Sequence, residues 1–174
     1  MKEHKHNNKL GAGIVLLQIH NNKICVLALK KEEYYDLPKG GLKPGETYME
    51  CMRRECWEES AITDIKVFNN VGTYSLGPIK IYMGTSKQSA HILPNPHTGI
   101  YEHSSAVWLP LKYAAFYFEP RLRSAIIWAK INVEDFGSNI INNIAMVDND
   151  KKGVLDYDHI NHFNKNINAI SKKE

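Results

Sequence analysis

The segment RRECWEES, residues 53–60, places carboxylates at Glu55, Glu58 and Glu59. On a helix these three positions fall within roughly a third of the circumference, because successive residues turn by ~100°. Like charges crowded in this way repel one another and destabilise the helix. One reading is a solvated acidic face, eased by an ion pair between Arg54 and Glu58 four residues on. The other is a cation site. A hard divalent ion takes several oxygen ligands at once. Glutamates at i, i+3 and i+4 offer them from adjacent turns of one rigid element. Such an ion would also remove the repulsion.

The preceding residues, LPKGGLKPGE (37–46), favour the cation. Glycines let main chain approach a ligand closely. Lys39 and Lys43 add positive charge. Carboxylates for a metal, a metal for phosphate, and lysines for the remaining phosphate charge make one coherent site. Mg²⁺ (or Mn²⁺) suits it, because Mg²⁺ is usually held by few carboxylates, substrate phosphates and water.

Positioning these groups needs a helix and a sheet behind it. Thr47 and Glu50 have capping-box spacing, which predicts a helix over 48–60 with Thr47 at its N-cap. Met49, Met52 and Cys56 form a stripe for packing on the sheet. GAGIVLLQI and KICVLALK, around a polar HNN, predict a β-hairpin. EEYYDLPKGGLKPGE (32–46) reads as a loop, since its prolines and glycines exclude regular structure. DIKVFNNVGTYSL and IKIYMGTS predict strands paired across Gly77-Pro78. A long loop through 87–105 leads to a short strand, AVWLPL, ended by Pro110. A second helix enters through Pro120, with Leu122, Ala125, Ile126 and Ala129 on one face. Strands interrupted by two helices imply an α/β sandwich. From about 132 onward the composition shifts toward Asn, Asp and Lys, which leaves open an extra helical pair or a half-ordered tail.

The bulk numbers set limits. With 174 residues the expectation is one domain plus an appendage. At 43% hydrophobic and 24% charged residues the chain can build a sizeable core. A net charge of +3 suits a phosphate-rich partner but is too small for a strongly basic nucleic-acid binder. Cys25, Cys51 and Cys56 are odd in number, lack CxxC spacing and match no zinc site, which points to a reducing compartment. MKEHKHNNKL has no apolar core of a secretory signal, and no apolar run reaches a membrane span. The expectation is a soluble cytoplasmic protein with no membrane partner.

Residues Gly40 to Ile62 read GGLKPGETYMECMRRECWEESAI. This stretch resembles the Nudix box: Gly, five residues, Glu, seven residues, Arg-Glu, an aliphatic, any residue, Glu-Glu, any residue, Gly, an aliphatic. Gly40, Glu46, Arg54, Glu55, Glu58, Glu59 and Ile62 match in register. Cys56 replaces an aliphatic, and Ala61 replaces the second glycine. Such a match arises by chance with a probability on the order of 10⁻⁴ or less. The resemblance implies a Nudix-type α/β/α sandwich with a mixed β-sheet over about 10–131, flanked by residues 1–9 and a C-terminal helical extension over 132–174. It implies hydrolysis of a nucleoside diphosphate linked to another moiety. Carried over by residue, Glu55, Glu58 and Glu59 would hold divalent metal, with the Gly40 carbonyl as a further ligand. Glu58 would orient or deprotonate the attacking water, Arg54 would position a glutamate, and Glu46 would anchor the loop to the helix.

Two stretches resemble one branch of that family, the asymmetric diadenosine tetraphosphate hydrolases. They are YYDLPKGGLKPGE and EHSSAVWLPLKYAAF, in which Glu102, His103, Trp108 and Leu109 keep the branch's spacing. Glu102 would then be a further metal ligand or base; the alternative is a plain loop carboxylate. A purine needs flat apolar surfaces, for which Tyr74, Tyr82, Tyr101, Phe116 and Tyr117 are available. Lys39, Lys43, Tyr82, His103 and Phe116 form the expected substrate-binding set, although a lone loop histidine is also commonly structural. The partner expected is a small nucleotide. Diphosphoinositol polyphosphates and capped messenger RNA stay open as substrates, as does a nucleotide-sensing module without turnover. VDNDKKGVLDYDHINHF (147–163) resembles an EF-hand loop, but Lys152 and His159 occupy ligand positions, so calcium is not expected at 148–159.

Overall fold

The structure, a computed structural model, describes residues 9–148. Of the EF-hand-like stretch 147–163, all but Val147 and Asp148 lies outside the described residues. Strand β1 (Gly11–His20) and strand β2 (Lys23–Lys31) form the expected hairpin. Its two-residue turn holds Asn21 and Asn22 at φ 48° and 58°. Both values lie in the left-handed region that a tight hairpin turn requires, and Asn tolerates it better than most side chains.

The hairpin then splays, and this makes room for the site. Residues Leu17–His20 of β1 pair with β2, whereas Gly11–Gly13 pair with strand β4 (Lys39–Gly41) along the same edge. Likewise Leu29–Lys31 of β2 pair with strand β3 (Tyr34–Asp36). Residues 32–46 are therefore not entirely loop, as the prolines and glycines suggested. Two three-residue strands fill the wedge between β1 and β2. Pro38 sits between them, needs no donor there, and its carbonyl accepts from Ile14 N at 3.1 Å.

Strand β5 (Lys66–Val67) and strand β6 (Tyr74–Leu76) both pair antiparallel with strand β7 (Ile79–Thr85), and β7 runs parallel to β1. The longer strand expected over 64–76 is broken by a 3₁₀ turn at Asn69–Val71 and by Gly72 at φ 69°. Strand β8 (Ser105–Pro110) closes the other edge of β2. The sheet is mixed, with eight strands among the described residues.

Alternation sorts the strand residues to two cores. Ala12, Ile14, Leu16, Leu27 and Leu29 pack against Cys51, Met52 and Cys56 of helix α1 (Tyr48–Ser60). Val15, Leu17, Val26 and Ala28 pack on the other face. There they meet the short helix α2 (Leu111–Ala114), helix α3 (Arg123–Asp135) and helix α4 (Gly137–Asp148). Leu122, Ala125, Ile126 and Ala129 are buried together, as their spacing predicts. The result is an α/β/α sandwich. Helix α3 continues through residue 131 without a break, and Ile140, Ile141 and Ile144 of α4 join the same core as the sheet. Among the described residues, no helix is long and apolar enough to cross a membrane.

Helix α1 starts at Thr47 with both arms of the capping box formed and ends at Ala61, which has φ 61° and ψ 12°. A β-carbon in the left-handed region costs about 1 kcal/mol, which glycine avoids. Ala61→Gly is expected to stabilise the protein by about 1 kcal/mol, raising Tm by ~3 °C in a thermal melt.

Candidate active site

The β3–β4 insertion and α1 bring the charged residues together. The Lys39 amide of β4 donates to Glu59 Oε2 at 2.9 Å, which fixes the strand against the last turn of α1. Gly40 lies directly under the Glu55 carboxyl group, where any β-carbon would collide with it. A side chain at residue 40 would therefore displace a candidate ligand. The Gly40 carbonyl accepts from the Cys51 thiol at 3.5 Å. Cys51 and Cys56 are buried, and burial pushes both thiols up to about 11, so they serve as small apolar side chains.

Arg54 is the hub. Its Nε and Nη2 grip Glu46 at 2.7 and 2.9 Å, and its Nη1 donates to Glu55 at 2.6 Å and Glu58 at 3.1 Å. Nη2 also donates to the Gly41 carbonyl at 2.9 Å. Glu46 thus ties the loop to the helix, and Arg54 holds its carboxyl down to about 2. Lys43 Nζ lies 3.4 Å from Glu58 Oε1 and is half exposed.

Sequence reasoning missed Asp36. It is buried at the end of β3, and its carboxylate accepts from the Leu37 amide and from Lys39 Nζ, both at 2.7 Å. The signal was present two residues before the Pro38-Lys39-Gly40 run. The Lys39 ammonium is therefore engaged within the protein. His103 is also buried, and its Nε2 stands 3.7 Å from Asp36 Oδ2. Burial opposes ionisation of Asp36, but His103, Lys39 and the Leu37 amide outweigh it and depress the pKa to about 2.

That depression carries a stability signature. A carboxyl whose folded pKa lies below its unfolded value contributes above the unfolded value, and loses that contribution as pH falls toward the folded one. The window here is pH 4 down to about 2. The expected loss attributable to Asp36 is about 2 kcal/mol, since a tenfold change in proton affinity is worth about 1.4 kcal/mol. Urea denaturation across pH 2–5 should show this slope in the wild type and a shallower one in Asp36→Asn.

Glu59 behaves in the opposite sense. Burial, with Asp36 and Glu55 adding repulsion, overcomes the Lys39 amide and ammonium and raises its pKa to about 8. Glu55 is also raised, chiefly by burial. Five carboxylates (Asp36, Glu46, Glu55, Glu58, Glu59) face three cations (Lys39, Lys43, Arg54) across this patch. A divalent ion would favour the ionised forms of Glu55 and Glu59, which burial disfavours, and all the donors offered are hard oxygen. Among the described residues, no three His, Cys, Asp or Glu side chains already converge on a common point, because Arg54 lies between Glu55 and Glu58. Mg²⁺ does not require such a cage. It is commonly bound through one or two carboxylates, with water and phosphate completing the shell. The residues present fit the ion.

The outer candidates are less concentrated. Glu102 is exposed, and its carboxylate accepts from Asn95 Nδ2 at 2.6 Å rather than joining the box glutamates. Tyr82 is half-buried in the α1-side core. Phe116 is 78% exposed, in the turn after α2. Tyr82 packs with the α1-side core, whereas Ala114 and Phe118, which flank Phe116 in the chain, pack in the core on the other face. The Tyr117 carbonyl accepts from Tyr35 N at 2.9 Å, and a cavity of about 630 Å³ opens beside Tyr35. It is lined by Tyr34, Tyr35, Asp36, Glu119 and Arg121 among others.

A family model for the NUDIX domain matches residues 7–128. Among solved structures, an Ap4A hydrolase of C. elegans in a binary complex has a TM-score of 0.57 at 20% identity, covering 72% of this chain and 97% of that one. The NUDIX domain of Shewanella oneidensis NrtR, complexed with ADP ribose, has a TM-score of 0.54 at 18% identity, covering 72% and 88%. The E. coli dihydroneopterin triphosphate pyrophosphohydrolase has a TM-score of 0.51 at 17% identity, covering 67% and 91%. These likenesses carry the fold. With Glu55, Glu58 and Glu59 together on α1 and Gly40 beneath Glu55, and with the family model spanning most of the chain, the protein belongs to the NUDIX domain family of hydrolases, which act on pyrophosphate bonds.

Proposed function

We propose that the protein is a Mg²⁺- or Mn²⁺-dependent pyrophosphohydrolase of small nucleotides, with a dinucleoside polyphosphate such as diadenosine tetraphosphate as its substrate. The observation that carries this reading is the carboxylate face of α1, set on the Gly40 backbone and organised by Arg54. Glu55, Glu58 and Glu59 would hold the ion, with the Gly40 carbonyl beside them. When bound, such an ion polarises a phosphoryl oxygen and acidifies water.

The chain's own residues supply the rest. Glu58 accepts the proton of the attacking water, because Arg54 holds one of its oxygens and leaves the other toward solvent and Lys43. Lys43 offsets phosphate charge, and Lys39 contributes its field through the Asp36 pair. Support for a dinucleoside polyphosphate comes from the Pro38-Lys39-Gly40 and Glu102-His103…Trp108-Leu109 spacing, and from likeness in fold to an Ap4A hydrolase. Glu102 would join the ion only after leaving Asn95. Tyr82 and Phe116 are the proposed contacts for the base, while the buried His103 side chain lies against Asp36.

The test is a panel of dinucleoside polyphosphates, nucleotide sugars, capped RNA and diphosphoinositol polyphosphates, each incubated with Mg²⁺ or Mn²⁺ and analysed for products. Release of ATP and AMP from diadenosine tetraphosphate as the fastest reaction supports the proposal. Preference for capped RNA or an inositol pyrophosphate, or tight binding without turnover, overturns the substrate assignment.

A further inference from the structure

A buried polar atom without a partner is costly and calls for an explanation. His103 Nε2 is such an atom: its side chain is 2% exposed, and among the described residues it makes no hydrogen bond. It is not aimed at random. It stands 3.7 Å from Asp36 Oδ2, and Asp36 in turn holds Lys39 Nζ at 2.6 Å through Oδ1. The Lys39 amide holds Glu59. The four residues form one line, from the segment preceding β8, through β3 and β4, to the last turn of α1.

The topology makes this line the bracing of the wedge. Asp36 and Ala106 pair with the two opposite edges of Leu29 in β2. The β3–β4 insertion is therefore held to β2 by only three residue pairs, and to β1 by three more. Short strands of this kind open readily. His103 precedes β8, which pairs with the opposite edge of β2, and its Nε2 approaches Asp36 from that side.

We propose that His103 is a positioning residue: its imidazole braces Asp36 and Lys39 so that the Lys39 amide stays on Glu59 and the carboxylate face keeps its geometry. The kinetic part of this proposal rests on the hydrolase reading above; the structural part does not. Groups set behind metal ligands typically alter activity or ion affinity by about 10–100-fold when removed.

The experiment compares His103→Leu and His103→Gln with the wild type. Gln can place a donor near the Nε2 position; Leu fills space alone. Two readings are taken: hydrogen exchange of the Lys39 amide against the core amides of Leu16 and Leu27, and kcat and KM on the best substrate of the panel. His103→Leu is expected to speed Lys39 exchange by about tenfold, with the core amides unchanged. It should lower kcat by about 10–100-fold with KM within a few-fold, and His103→Gln should restore both readings. Unchanged Lys39 exchange in His103→Leu overturns the proposal. So does exchange that rises equally at Leu16 and Leu27 in both variants, because that is packing alone. If His103→Leu does not fold, Asp36→Asn breaks the line one link further on and must give the same selective loss at Lys39. Should no panel substrate be turned over, the exchange reading still decides the brace, separately from the reaction.

Discussion

Glu58→Gln is expected to lower kcat by about 10²–10⁴-fold while leaving the fold intact, the range typical for loss of a general base. The substitution keeps the shape of the side chain and the acceptor that faces Arg54 Nη1, now 3.1 Å away. It removes the charge and the ability to take a proton. KM should move little, because Lys43, the cation beside Glu58, and the Arg54 network stay in place. Steady-state kinetics on the preferred substrate, with circular dichroism to confirm folding, reads this directly. A Glu58→Gln enzyme within twofold of wild-type kcat would remove Glu58 from the chemistry.

Arg54→Ala is expected to be the most damaging change to stability at the site, by about 3 kcal/mol in urea denaturation. The guanidinium, only 16% exposed, bridges Glu46, Glu55 and Glu58 and donates to the Gly41 carbonyl. Without it, carboxylates that are themselves 12–14% exposed lose their common cation. The neighbouring carboxylates also raise the affinity of Arg54 for its proton, so the site holds that charge firmly. Arg54→Lys keeps the charge but not the fork that grips both oxygens of Glu46, so it should recover only part of the loss. Millimolar Mg²⁺ should offset part of the loss in Arg54→Ala, because a divalent ion can neutralise the same carboxylates in the folded state alone. A loss below about 1 kcal/mol would show that the network is no more than a surface ion pair.

The sequence was most legible where one local rule governs one local structure. The capping box at Thr47 and Glu50 predicts the start of α1, and Thr47 is its N-cap. The alternation in β1 and the helical spacing of Leu122, Ala125, Ile126 and Ala129 predict the faces that are buried. Where geometry depends on distant pairing, the residues say less. Tyr34–Asp36 and Lys39–Gly41 are strands only because β1 and β2 splay and leave their edges unpaired. Propensity in a Pro- and Gly-rich run cannot register that. Residues 64–76 erred in the other direction, since Gly72 and the paired asparagines interrupt a run that looked extended.

The same contrast holds for the site. The glutamate spacing on α1 and the glycine facing it are local features, and the structure brings them together. Asp36 acquires its importance from Lys39, His103 and the underside of Glu59, which are far apart along the chain. Glu102 and Phe116 lie in connecting segments whose side chains follow nearby partners and solvent. Here one carboxylate turns to Asn95 and one ring faces water.

The central claim is that the crowded carboxylates of α1 are a divalent-cation site. The most direct test is a Mn²⁺ titration followed by electron paramagnetic resonance, with a nonhydrolysable dinucleoside tetraphosphate present. Wild type and the double variant Glu55→Gln/Glu59→Gln are compared. Stoichiometric Mn²⁺ binding by the wild type, weakened at least about tenfold in the double variant, is the predicted result. Equal Mn²⁺ affinity in the two proteins would contradict it.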